Sequence, residues 1–95
     1  MKLTMFRVEG DPRLGAVEGE RVIDLNMAYE AMLAEKGDLR ARAKADAVVP
    51  AETVAFLQGG EDSMAAARAA IAWAAGQDAG KLTVRNAPIV RAVAG

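Results

Sequence analysis

Any chemistry in this chain has to rest on carboxylates, lysines, one tyrosine and hydroxyls, because its 95 residues include no histidine and no cysteine. Without histidine it lacks the side chain that titrates nearest neutrality and the commonest metal ligand. Without cysteine it lacks thiolate nucleophiles, thiolate metal sites and disulfides. Among the remaining groups, Glu18-Gly19-Glu20 is the most suggestive, since two carboxylates two residues apart can converge on a hard cation such as Mg²⁺. The simpler reading is an exposed hairpin tip, where carboxylates stay hydrated and no dry cavity focuses them. Asp24 stands among Val22, Ile23 and Leu25 at the end of a strand-like run. It is expected to accept hydrogen bonds from the backbone N–H groups that open the following helix. Ser63, the sole serine, falls in the first turn of a predicted helix and reads as a solvated or capping hydroxyl rather than a nucleophile.

Two further patterns resolve to ordinary surface. Lys36, Arg40 and Lys44 recur at i, i+4 with Arg42 close by, a stripe that can touch phosphate. Gly37 interrupts the helix between the first two, and Asp38 and Asp46 dilute the field, so a solvated face is the better account. Gly10, Gly15 and Gly19 do not match a dinucleotide fingerprint, and Gly59-Gly60 lacks the Lys-Ser/Thr of a phosphate loop. No catalytic, cofactor-binding or metal-binding residue is assigned. The candidate interface residues are Trp73, Phe56 and Met64, of which Trp73 suits an interface anchor and a partly buried core position about equally.

The elements behind these residues follow from pattern. Lys2–Glu9 alternates as a strand, Gly10-Asp11-Pro12 signals a turn, and Arg13–Glu18 is a second strand. Gly19-Glu20 fits a two-residue hairpin, and Arg21–Leu25 is a third, β-branched strand. Asn26 can cap a helix from Met27, with Leu25, Tyr29 and Leu33 on one stripe beside Ala28 and Met32. Lys36-Gly37 stops it. Asp38 can cap a second helix ending before Pro50, its stripe Leu39, Ala43 and Ala47. A short third helix spans Ala51–Gln58. A fourth opens on Glu61 and Asp62, where carboxylates favour the dipole, and carries Met64, Ala67, Ile71 and Ala74 inward before Gly76. Lys81–Arg85 adds a possible strand, and 86–95, with Pro88, reads as connector or tail. The fold class is α+β: a small antiparallel β-meander of three strands, with a fourth possible near 81–85, packed with three to four helices.

Composition bounds the rest. Hydrophobic residues are 53% of the chain, but alanine supplies much of that and adds little apolar area, so the core is expected to be thin. A domain of this length buries only ~60–65% of its unfolded surface. Twelve basic against 13 acidic residues, net −1, argues against a nucleic-acid binder. The alanine-rich run Met64–Ala75 is too short to span a bilayer and carries Arg68. No secretion signal is visible, and a cytoplasmic location is the default.

Taken in order, Lys2-Leu3, Phe6, Gly10, Arg13-Leu14-Gly15, Val17, Gly19, Val22 and Asp24-Leu25 resemble the N-terminal domain of fumarylacetoacetate hydrolase family proteins. Phe56-Leu57-Gln58-Gly59-Gly60, then the helix holding Ala72-Trp73-Ala74, is also similar, and Ala87-Pro88-Ile89-Val90-Arg91 resembles the connector to the family's catalytic domain. The resemblance covers nearly the whole chain and divides it into 1–85, the N-terminal-like domain, and 86–95, the connector. Ala92 departs from it, standing where the connector usually has proline. The resemblance implies that a large domain would follow, with a Gly-x-Asn-Tyr segment, a catalytic histidine and an acidic set that binds Mg²⁺ or Mn²⁺ and acts on β-diketo or 2-oxo acids. None of those residues has a counterpart here, and Glu18-Gly19-Glu20 belongs to the hairpin rather than to that acidic set. The expectation is therefore an isolated, truncated or stand-alone accessory domain, inactive alone and without a cofactor of its own, whose partner is such a catalytic domain or a second copy of itself. The alternatives are a stand-alone interaction or homodimerisation module, and a small carboxylate metal enzyme using Glu18, Glu20 or Asp24.

Overall fold

The computed structural model describes residues 1–77, 82–84 and 87–92. The fold is α+β. Three strands, β1 (Lys2–Val8), β2 (Asp11–Glu18) and β3 (Arg21–Asp24), form an antiparallel meander. Four helices follow: α1 (Leu25–Glu35), α2 (Ala41–Val48), α3 (Thr53–Gln58) and α4 (Gly60–Ala75). The chain then forms β4 (Thr83–Val84), β5 (Ala87–Pro88) and β6 (Val90–Ala92). The main sheet runs β1-β2-β3-β6, and β4 pairs with β5 separately.

Turn chemistry sets the meander. The first hairpin turns on Glu9-Gly10, with φ of 52° and 89°, the pair of left-handed residues that a type I′ turn demands. The turn expected at Gly10-Asp11-Pro12 therefore lies one residue earlier, and Asp11 and Pro12 belong to β2. Proline is tolerated there because the β2–β3 ladder only begins at Gly15, leaving no partner waiting for the missing N–H on that side. The second hairpin turns at Gly19, φ 62°, as expected.

Register sorts the side chains. Leu3, Ala16, Ile23 and Val90 stand in one row across the sheet, and Met5 and Leu14 in the next row of that face. Leu14 and Ala16 pack with Leu25, Val49, Phe56 and Ala67, while Ile23 packs with Met27, Ala28, Ala70, Ala74 and Ile89. Helices α1 and α4 meet through Ala28, Ala67, Ala70 and Ala74, all buried. Alanine brings little area, but small side chains let helix axes approach closely.

Several helix details differ from the expectation. The side chain that caps α1 is Asp24, accepting from Met27 N–H at 3.1 Å; Asn26 lies inside the first turn and is buried. Asp38 does not cap α2. Its carboxylate accepts from the Arg40 N–H at 2.8 Å and from Lys44, an Asx-type turn that delays the helix to Ala41. The buried stripe is consequently Ala41, Ala45 and Val49, whereas Leu39 is 100% exposed. Helix α3 starts at Thr53, with Glu52 accepting from the Val54 and Ala55 N–H groups. In α4 the deepest residues are Ser63, Ala67, Ala70 and Ala74, with Met64 and Ile71 only partly buried.

The segment expected to be a connector is part of the sheet. Val90–Ala92 pairs with β3, Asp24 N–H donates to the Ile89 carbonyl at 2.8 Å, and Ile89 is fully buried. Pro88 lies in the short β4–β5 ladder opposite Thr83, and the fourth strand of the main sheet is β6 rather than the 81–85 region. Lys81 and Arg85, the ends of that expected strand, lie outside the described residues, as do residues 93–95 of the expected tail.

Candidate functional site

The most organised polar group in the fold gathers Arg13, Asp24, Asn26 and Asp46 where the meander hands over to α1. Gly15 pairs with Asp24, and Arg13 lies two residues before Gly15, so both charged side chains leave the sheet on the same face. Arg13 donates through Nε to Asp24 Oδ2 at 2.6 Å and through Nη2 to Oδ1 at 3.1 Å. It also donates to Asn26 Oδ1 at 3.2 Å. Asn26 Nδ2 in turn donates to Asp46 Oδ1 at 3.0 Å and to the Val49 carbonyl at 2.9 Å, tying α1 to α2. The hydrogen bond to Asp24 raises the Arg13 pKa above the ordinary guanidinium value, against the opposing effect of burial.

Chemically this group is spent on structure. Both Asp24 oxygens are engaged, by Arg13 and by the α1 N-terminus, and the carboxylate is 1% exposed. A fork-to-fork guanidinium–carboxylate pair with a capping N–H leaves little accepting capacity for a substrate or ion. Sequence reasoning found the capping role of Asp24 but gave Asn26 a capping role of its own, and joined neither Arg13, Asn26 nor Asp46 to Asp24. Asn26, two residues past a capping aspartate, was a usable signal; the Arg13 pairing needed the strand register.

The other candidates are scattered. Glu18, Gly19 and Glu20 sit exposed at the β2–β3 hairpin tip, and among the described residues no three acidic side chains converge as a metal cage requires. Ser63 is buried rather than solvated: its Oγ lies against Gly59, in the space a β-carbon there would need. Lys36 ends α1 and Lys44 pairs with Asp38 at 2.6 Å, so the basic residues do not form one stripe.

Of the expected interface residues, Phe56 is 0% exposed and packs inside the core with Leu14, Leu25 and Val49, so the thin core takes up this ring rather than leaving it on a docking face. Met64 is partly buried beside the same cluster. Trp73 is half-buried against the α1–α4 core, and its indole N–H donates to Glu35, in the wall of a cleft of about 490 Å³ that Glu30, Gln77 and Val84 also line. No helix among the described residues is long and apolar enough to cross a membrane.

No family model, curated protein or solved structure matches this chain.

Proposed function

We propose that this chain is a non-catalytic N-terminal accessory domain of the fumarylacetoacetate hydrolase type. Its role is to pack on, or support assembly of, a Mg²⁺- or Mn²⁺-dependent domain that acts on β-diketo or 2-oxo acids. What supports the reading is the use to which the residues carrying the resemblance are put. Arg13 and Asp24 form the buried ion pair, Leu14 and Leu25 lie in the core, and Gly15 allows Phe6 and Val22 to close over the sheet. Residues that serve packing and capping suit a scaffold better than a reaction centre. The metal and the reacting groups belong to the partner in this reading, and a cytoplasmic location and a small-acid metabolic setting go with it.

The test is an assay with Mg²⁺ and acylpyruvate or oxaloacetate. The purified chain is run alone and then with a catalytic domain of that family, from the same organism, expressed without its own N-terminal domain. The expected outcome is no turnover by the chain alone, and a stoichiometric complex with altered kcat/KM when the two are combined. Turnover by the chain alone that survives further purification overturns the reading, and so does a failure to bind the catalytic domain.

A further inference from the structure

The main sheet has two edges of different character. At one edge β6 is three residues long with Arg91 in its middle. At the other, β1 is seven residues long, pairs with β2 residue for residue with no bulge, and makes no backbone hydrogen bond on its outer side among the described residues. Natural edge strands are usually blunted by shortness, proline, a bulge, a central charge or a covering element. From Leu3 through Phe6, β1 has no charge, proline or bulge. Its charges are Lys2 and Arg7 near the ends, and Arg7 is engaged with the Gly10 carbonyl at 2.8 Å.

The same edge carries apolar surface. Met5, at the midpoint of β1, is 46% exposed, and the Thr53 hydroxyl donates to its sulfur at 2.9 Å, which brings α3 alongside. On α3, Val54 and Leu57 are 60% and 57% exposed.

We propose that β1 pairs antiparallel with β1 of a second copy of this chain, about a two-fold axis normal to the sheet at Met5, joining two four-stranded sheets into one. Symmetry and charge select this occupant. In a two-fold strand pair, residues that face each other lie on the same side of the sheet and so have the same parity; Lys2 and Arg7 differ in parity and never oppose one another. With the axis at Met5, Lys2 faces Val8 of the copy, Leu3 faces Arg7, Thr4 faces Phe6, and Met5 faces itself. This register pairs the whole of β1, and moving the axis to Thr4 or Phe6 shortens the ladder. It also brings the Lys2 end of each strand to the hairpin end of the other, where Glu9 and Asp11 are exposed. A second copy supplies that opposite charge at both ends by symmetry. The pairing is independent of the accessory-domain reading.

The test is sedimentation equilibrium on the 95-residue chain and on two variants, Met5→Lys and Met5→Glu. Each variant places like charges face to face on the axis; an equimolar mixture places opposite charges there. From about 10 μM to about 1 mM the unmodified chain is expected to dimerise. Each variant alone is expected to associate about tenfold or more weakly, with the mixture recovering a heterodimer. Hydrogen exchange gives a readout that needs no variant: amides of Lys2–Val8 should gain protection as concentration rises. A chain that stays monomeric throughout, a dimer indifferent to both variants, or exchange in β1 that does not depend on concentration overturns the proposal.

Discussion

Arg13 grips Asp24 through two parallel hydrogen bonds, of 2.6 and 3.1 Å, across the junction of β2 and β3, and the carboxylate so held is also the N-cap of α1. Asp24 is buried while Arg13 keeps a fifth of its side chain in water, so the arginine neutralises a charge that cannot reach solvent itself. Removing one partner of such a pair strands the other. Arg13→Ala is expected to destabilise the fold by ~3–5 kcal/mol. Arg13→Lys keeps the charge but not the planar fork and should fall between that variant and the unmodified chain. Urea unfolding followed by circular dichroism measures both.

Gly15 is a packing site. A β-carbon there would stand 2.7 Å from Val22 Cγ1, 2.8 Å from Phe6 Cε1 and 2.9 Å from the Ile23 carbonyl. Gly15→Ala is expected to cost ~1–3 kcal/mol by overpacking. Adding Phe6→Leu should recover only part of it, because the ring can be shortened and the Ile23 backbone cannot. A double-mutant cycle on unfolding free energies reads the coupling.

Glu52 accepts from two backbone N–H groups at the start of α3, first that of Ala55 and then that of Val54, and these hold its carboxyl below the ordinary value of 4.5. A carboxylate with a lowered folded-state pKa stabilises the fold above its unfolded pKa, and the contribution disappears as pH falls through the folded value. Glu52→Ala should therefore lower Tm at neutral pH, and the gap from the unmodified chain should close below pH 4.5. Asp38, lowered by its hydrogen bond to Lys44 and then by that from the Arg40 backbone, changes in the same direction. Thermal melts across the acid range, for Glu52→Ala and Asp38→Ala, check the sign.

Leu39 and Phe56 make opposite forecasts. Leu39→Glu touches a fully exposed side chain and should stay within ~0.5 kcal/mol of the unmodified chain. Phe56→Ala empties the largest fully buried side chain and should cost ~3–5 kcal/mol. If Leu39 instead began a buried helical stripe, the first substitution would be costly too, and chemical denaturation separates the two cases.

Much of the meander was legible because its turns are written in local chemistry, Gly19 above all. The first turn was displaced because Glu9, a non-glycine residue, takes the left-handed conformation beside Gly10. The stripe of α2 was misphased for a plain reason: Ala41, Ala43, Ala45 and Ala47 are the same residue, so periodicity carries no phase, and the delayed start set by Asp38 decides which of them face inward. Residues 87–92 looked like a tail because Pro88 argues against regular structure, yet it is Ile89, next to it, that the core takes up. In the polar cluster, the capping role of Asp24 followed from its place after a strand. The partnership with Arg13 depends on which residues of two strands stand opposite, and that is fixed by the whole hairpin.

One residue, Asp24, joins parts of the chain far apart in order. The Asp24 N–H holds Ile89 near the last described strand, its side chain holds the opening turn of α1, and the same carboxylate fastens Arg13 on the preceding strand. Early and late segments thus share a single clasp, and neither can loosen without releasing the other. Unfolding should be concerted, with the Asp24 amide, which donates to the Ile89 carbonyl, exchanging as slowly as those in the middle of α1.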